Sequence, residues 1–177
     1  MLMNVCFNDK TLSEICVQSK PELEYLLKSR YNDSVLLSEP ESHSKYYLLS
    51  INDGSGVRSL GVGLMMICDM PYSITLIPSN DSILIGYNMN LALINSATGK
   101  ILFDIQLDSY FYYAKVYQST IFVLSEMSAY LFSYTGEQIN QILFDDVLES
   151  YRFDGECFEY KSNEVVKKIS LQRFGVS

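Results

Sequence analysis

One pattern occurs twice in the middle of the chain. The stretch SILIGYNMNLALINSATGKILFDIQL, beginning at Ser82, aligns with TIFVLSEMSAYLFSYTGEQINQILF, beginning at Thr120. Ile83-Leu84-Ile85 falls on Ile121-Phe122-Val123, Met89 on Met127 and Leu91 to Ile94 on Ala129 to Phe132, all at an offset of 38, and Thr98-Gly99 falls on Thr135-Gly136 at 37. A shared apolar phase and a shared Thr-Gly turn identify two copies of one supersecondary unit, which alone cannot bury its faces and must stack on neighbours.

The pattern extends more faintly in both directions at an offset of 36. Cys157-Phe158 falls on Ile121-Phe122 and Val165-Val166 on Ala129-Tyr130, while upstream Tyr47 to Leu49 falls on Ile83 to Ile85. Asn52-Asp53-Gly54 then occupies the place of Asn88-Met89-Asn90, and Asp-Gly between apolar runs predicts a type I′ hairpin turn. Each full unit holds four strand-like pieces: YSITLIPS, SILIGYN, LALINS and KILFDIQL, then YFYYAKVY, TIFVLSE, AYLFSY and QINQILF. Four short antiparallel strands per unit of about 36–45 residues is the pattern of a propeller blade.

In period, strand count and turn position, residues 46–171 resemble the propeller repeats of WD-repeat and quinoprotein-like proteins. There is no Trp in the chain, so their Trp-Asp marker is missing and no functional residue carries over. The expected fold class is all-β (mainly β): an open arc or partial β-propeller of about three to four antiparallel blade-like units with one short N-terminal α-helix. An irregular β-sandwich is the alternative.

A single domain over 1–177 is expected, with 1–45 a cap of strand, helix and loop and 46–171 the blade-like repeats. In the cap, LMNVCF reads as a strand and NDSVLLSEPESHS as turn, short strand and polar loop. PELEYLLKSRY follows Ser19-Lys20 with Pro21 and two Glu first, Leu23, Leu26 and Leu27 as an apolar stripe, and Lys28 and Arg30 last. That order suits a helix and its dipole over Pro21 to Arg30.

Thirteen Lys and Arg against twenty-one Asp and Glu give a formal charge of −8, the wrong sign for gripping a phosphate backbone. The middle of the chain carries most of it: residues 61–150 hold nine acids against Lys100 and Lys115. A basic protein partner is the expectation, with neither direct nucleic-acid nor membrane binding. The first ten residues, with Asn4, Asn8, Asp9 and Lys10, do not read as a signal peptide, and the longest apolar run, Val62 to Cys68, is far short of the ~20 residues of a membrane helix. Cys6, Cys16, Cys68 and Cys157 show no paired or metal-type spacing, which points to a cytoplasmic, reducing environment.

Motifs for chemistry are sparse. His43 is the only histidine and sits in the polar stretch SEPESHSKYY, read as a surface loop. No metal site and no cofactor are expected. Gly54, Gly56, Gly61 and Gly63 in DGSGVRSLGVG match neither a P-loop nor a dinucleotide fingerprint and read as a hairpin connection. A glycosidase would need two carboxylates about 5–10 Å apart in a pocket, and the best sugar platform, Trp, is missing. The chain is therefore read as no enzyme.

What remains is surface. In YFYYAKVY, alternation assigns Tyr110 and Tyr112 to one face as core, and Phe111 and Tyr113 to the other. The junctions after successive units carry acids beside aromatics, and the candidate partner-binding set is Asp104, Asp108, Tyr110, Tyr112, Asp145, Asp146 and Glu149. A short, acidic, Tyr-rich repeat chain without catalytic residues resembles in character the bacterial immunity proteins paired with polymorphic and contact-dependent growth-inhibition toxins. The resemblance implies a cognate toxin domain, a ribonuclease or other nuclease, whose basic cleft is occluded. The alternative is a non-catalytic propeller-like scaffold or protein-interaction module.

Overall fold

Short runs of alternating or wholly apolar residues, punctuated by Asn, Asp, Ser and Gly, form sixteen strands among the described residues of the computed structural model. Residues 4–7, 10–38, 43–53, 59–67, 72–117, 119–155 and 157–175 are described. Part of the expected polar loop (39–42), Gly54, Gly56 and Cys68 lie outside them. The chain divides into two compact units: Met1–Met70 with Leu76–Leu84 and Ile94–Ile101, and Pro71–Thr75 with Ile85–Leu93 and Leu102–Ser177.

The first unit holds a five-stranded sheet of β1 (Asn4–Phe7), β2 (Lys10–Val17), β3 (Asp33–Leu37), β4 (Lys45–Asp53) and β5 (Ser59–Met66), in the order β1-β2-β4-β5-β3. Only β3 runs parallel to its neighbour β5. Residues before 46 thus supply three strands of this sheet rather than a cap laid over it. Asn52 and Asp53 belong to β4, and Asn52 pairs with Ser59, a separation too long for the expected two-residue turn.

Between β2 and β3 lies α1 (Lys20–Arg30), as the acid, leucine and base order predicts. Ser19 Oγ accepts from the Glu22 N–H at 3.4 Å and Glu22 Oε2 accepts from the Gln18 N–H at 3.0 Å, a reciprocal cap. Leu23, Leu26 and Leu27 are buried with Val17, Leu48 and Met65 of the sheet. The glycines read as a hairpin connection explain this docking. Gly61 and Gly63 lie within β5, and a Cβ on Gly61 would stand 2.6 Å from the Tyr31 ring, one on Gly63 2.9 Å from a Leu27 methyl. Tyr31 is itself tied by its hydroxyl to Ser50 Oγ. Gly61→Val is accordingly expected to cost about 2 kcal/mol in urea unfolding and to lower the helical circular dichroism signal, because the ring cannot yield without lifting the end of α1.

A four-stranded sheet follows in the order β6-β7-β8-β9: β6 (Ser73–Ile77), β7 (Ser82–Tyr87), β8 (Asn90–Asn95) and β9 (Ile101–Gln106). In the second unit, β10 (Phe111–Val116), β11 (Thr120–Ser125), β12 (Ser128–Ser133) and β13 (Gln138–Leu143) form another sheet in sequence order. All eight strands fall on the eight pieces read from the repeat. β7 and β11 begin 38 residues apart, as do β8 and β12, and β9 and β13 begin 37 apart. The shared turn is equally regular: Gly99 and Gly136 take φ of +67° and +84°, and Asn95 N–H donates to the Lys100 carbonyl as Ser133 N–H does to that of Glu137, both at 2.9 Å.

The last sheet, β14 (Leu148–Asp154), β15 (Cys157–Ser162) and β16 (Val165–Ser170), has three strands. Its strands begin 37 residues after β10, β11 and β12, so the true offset exceeds the predicted 36 by one. A second, short helix, α2 (Leu171–Phe174), follows β16 and buries Leu171 and Phe174, where only one helix was expected.

The one-residue difference matters because it decides which side chains correspond. Phe122, Leu124 and Leu131 are buried, and Phe122 packs on Phe158 and Phe153 with ring centroids at 5.1 and 5.5 Å. Their counterparts 37 residues on are Glu159, Lys161 and Lys168. On that outward face Arg152 pairs with Glu159 at 2.8 Å, Lys161 with Glu149 at 2.5 Å and Lys168 with Asp154 at 3.0 Å. The β14–β16 sheet therefore keeps an apolar face, with Phe158 and Tyr160 buried, and carries ion pairs on the other.

Candidate functional site

Hydrogen bonding in the second unit gathers two unit junctions around one turn. The turn between β11 and β12 is Glu126-Met127. On one side, Glu126 N–H donates to the Tyr110 carbonyl at 2.8 Å and Met127 N–H to Ser109 Oγ at 2.9 Å. On the other, Phe144 N–H donates to the Met127 carbonyl and Leu148 N–H to that of Glu126, both at 2.8 Å. The segments carrying Asp108 and Tyr110, and Asp145 and Asp146, are thereby fastened to the same two residues.

The carboxylates at this turn do different work. Asp108 accepts from Ser109 Oγ at 2.8 Å, from Ser125 Oγ at 2.9 Å and from Ser128 Oγ, and its own N–H donates to the Tyr130 hydroxyl at 3.1 Å. Partial burial pushes its pKa up, but the hydroxyl hydrogen bonds outweigh that and hold it below the ordinary carboxylate value. Because Ser109, Ser125 and Ser128 are buried, Asp108 serves first as the internal acceptor of this cluster.

Asp145, Asp146 and Glu149 are exposed. Asp145 pairs with Lys167 at 2.5 Å, which raises the lysine's pKa. Asp146 Oδ1 accepts from Val147 N–H at 2.8 Å, while its backbone exchanges two hydrogen bonds with the buried Ser162 hydroxyl. Glu149 is held below the usual carboxylate range by the Lys161 ammonium and by the Glu164 N–H at 2.8 Å.

Asp104 stands apart, exposed in mid-β9 rather than at a junction. Tyr110 is half-buried and Tyr112 packs against the aromatic core. Burial, then the charge of Glu126, raises the Tyr112 hydroxyl's pKa. The assignment of Phe111 to an outer face is reversed: Phe111 is fully buried, because a bulge between Phe111 and Tyr113 breaks the alternation.

Sequence reasoning passed over Glu126 and counted Lys115 only as one of two bases in the middle of the chain. Lys115 lies with its ammonium 5.0 Å from the Tyr117 ring centroid and 5.2 Å from that of Phe153. From Asp104 to Glu149 there are seven acids and Lys115 alone as a base. Six of the acids are exposed and the sixth in order, Asp146, has no basic partner among the described residues, while the single base is drawn among aromatic rings. Two of the exposed acids, Asp145 and Glu149, are paired with Lys167 and Lys161 from the following hairpin, so the count along this stretch overstates its unpaired negative charge.

In the first unit, a cavity of about 200 Å³ is lined by Lys10, Asp33, Ile51, Leu60, Asp81 and Ser96 among others. Its lysine donates to Asp81 and, at 2.6 Å, to Ser96 Oγ. The Lys10 hydrogen bond, then that of Ser96, lowers the Asp81 pKa. These groups, from β2 and from the turns before β7 and after β8, satisfy one another's hydrogen bonds and tie segments far apart in sequence. Among the described residues, no group of three or more His, Cys, Asp or Glu could hold a metal ion, and no helix is long and apolar enough to cross a membrane.

No family model and no curated protein matches the chain. Among solved structures, BamB from Moraxella catarrhalis aligns over 94% of this chain and 41% of its own, at 10% identity and a TM-score of 0.55. The dihydro-heme d1 dehydrogenase NirN, in complex with DHE, aligns over 75% of this chain and 33% of its own, at 12% identity and a TM-score of 0.52. Both are β-propeller-type folds, and the four-stranded sheets here are blades of that kind. This chain spans less than half the length of either neighbour. At such identities the likeness is one of fold, and a fold shared with an enzyme does not confer its chemistry.

Proposed function

We propose that this chain is a cytoplasmic, non-catalytic binding protein: an immunity protein that neutralises a cognate basic toxin domain, a ribonuclease or other nuclease, by covering its active-site cleft with an acidic surface. The observation that carries this reading is the run from Asp104 to Glu149, with seven acids and a single, aromatic-clasped base. A nuclease cleft is lined with Lys and Arg to hold phosphates, and carboxylates fastened at the Glu126-Met127 turn offer those cations a rigid substitute.

Asp145 and Glu149 already have lysine partners, but exposed pairs of this kind are weak and easily exchanged. An incoming Arg can replace Lys167 or Lys161 at little cost and gain bidentate geometry. Asp146 supplies a carboxylate without that exchange, and Tyr110, in the other junction held to the Glu126-Met127 turn, and Tyr112 of β10 add partly buried aromatic surface.

The test is the kinetics of association with the domain that co-purifies with the chain. Its on-rate should fall about tenfold or more between low and physiological salt, and changing Asp145, Asp146 and Glu149 together to Ala should weaken binding by about 10–100-fold. Binding that ignores both salt and the triple substitution would instead favour the scaffold reading, in which apolar or backbone contacts dominate.

A further inference from the structure

The two four-stranded blades end on β9 and β13, each hydrogen-bonded along the outer side of the strand before it. The last blade stops at β16, with α2 where a fourth strand would begin. On β12, the outward positions Ala129 and Leu131 pair with Ile142 and Asn140 of β13. Their counterparts on β16 are Val166 and Lys168. The β15–β16 hairpin turns on Asn163 and Glu164, with φ of +49° and +61°, and Ser162 pairs with Val165. In a two-residue hairpin the flanking pair is hydrogen-bonded, so Val165, Lys167 and Ile169 direct their backbone groups into β15. Val166 and Lys168 direct theirs outward, with no strand beside them among the described residues. β8 and β12 are buried almost throughout, whereas Val165 and Val166 are 48% and 59% exposed.

We propose that β16 is the receptor edge for a fourth strand donated by another protein, with an aliphatic side chain opposite Val166 and a carboxylate opposite Lys168. It extends the binding-protein reading. Charge decides the occupant. Two copies of β16 paired antiparallel in a register centred on Lys167 or Lys168 set like charges face to face, and a register centred on Val166 pairs only Val165 to Lys167 before the strand ends. Lysines on an edge deter self-pairing. They admit a complementary strand, because the present partners Asp145 and Asp154 are exposed and exchangeable. The edge lies in the one segment where bases exceed acids, five to four over residues 151–177, and its outward cation Lys168 pairs with Asp154, whereas Lys167 is shared with Asp145 of the junction. Backbone hydrogen bonds would supply affinity and the flanking side chains specificity.

The probe is a capped ten-residue peptide alternating Val or Thr with Glu, followed by amide hydrogen exchange on the full chain. In the free protein the Val166 and Lys168 amides should exchange rapidly and that of Lys167 slowly. Peptide should slow Val166 and Lys168 by about tenfold or more and leave Lys167 unchanged. Val166→Pro, which removes one outward donor at a position where an edge strand tolerates proline, should abolish the effect. Lys168→Glu, which leaves the backbone intact, should lose the Glu peptide and gain one carrying Lys instead. Val166 and Lys168 amides already protected in the free chain, whether by a second copy or by further chain, would overturn the proposal. So would exchange that peptide leaves unaltered, or indifference to the charge swap. No toxin enters this experiment, so its outcome is independent of the salt test above.

Discussion

Replacing Gly86 with alanine should destabilise the protein by about 3 kcal/mol or more, a large share of the 5–15 kcal/mol that holds a typical domain together. Gly86 lies within β7, where every residue is buried, and a Cβ built on it would overlap three carbons of the Phe111 ring. The ring has nowhere to go. Phe111 is fully buried, its N–H is held to the Asn88 carbonyl at 2.7 Å, and the bulge that follows fixes its direction. The expected midpoint shift in thermal unfolding is about 10 °C, at roughly 2–4 °C per kcal/mol for a chain of this size. Phe111→Leu in the Gly86→Ala background should recover part of the loss although Phe111→Leu alone is destabilising, because the smaller side chain makes room for the new Cβ, which in turn fills part of the space the ring leaves. A Gly86→Ala protein within 1 kcal/mol of the parent would mean that the ring and the strand do not meet as described.

Asp108→Ala should cost about 1–3 kcal/mol, since it leaves the buried Ser128 hydroxyl without its acceptor and reduces Ser109 and Ser125 to their longer bonds to Ser125 Oγ and the Ser128 carbonyl. Asp108→Asn keeps one acceptor oxygen and should cost less. The two differ from the parent in their pH response. The Asp108 pKa is lower folded than unfolded, so ionisation contributes stability that is fully present above about pH 4 and is lost as pH falls through the folded value, below the ordinary carboxylate range. Denaturant titrations should show the gap between parent and Asp108→Asn widest near neutrality and narrowing in acid. A gap independent of pH would assign the cluster's stability to shape rather than to the charge.

The strands from Ser73 to Leu143 were legible because each is short, apolar and bounded by turn residues, and because the repeat reads them twice. So was α1, whose cap, leucine stripe and terminal bases are all local signals. β2 escaped because its only buried side chains, Leu12 and Val17, sit five residues apart, out of phase with an alternating strand. Its identity comes from pairing with β4, from Lys10 with Asp53 to Val17 with Tyr46, and β3 likewise takes its place from a parallel partner that local pattern cannot name. Gly61 and Gly63 read as a loop until α1 was seen to need the space of their missing side chains.

At the site, the acids of the second junction could be picked out by their position. Their settings could not: Lys161 and Lys167 arrive from the following hairpin, and Glu126 belongs to a turn with no unusual sequence. The Glu159, Lys161 and Lys168 face was hidden by the one-residue error in offset, which aligned charged residues with the wrong members of the preceding blade.

Whether this surface of carboxylates serves to hold a basic protein is decided most directly by co-purification from the native cell, with mass-spectrometric identification of the tightest partner for the parent chain and for the Asp145, Asp146 and Glu149 to Ala variant. The account predicts a basic nuclease domain that the parent retains and the variant loses. A neutral or acidic partner, retained equally by both, would contradict it.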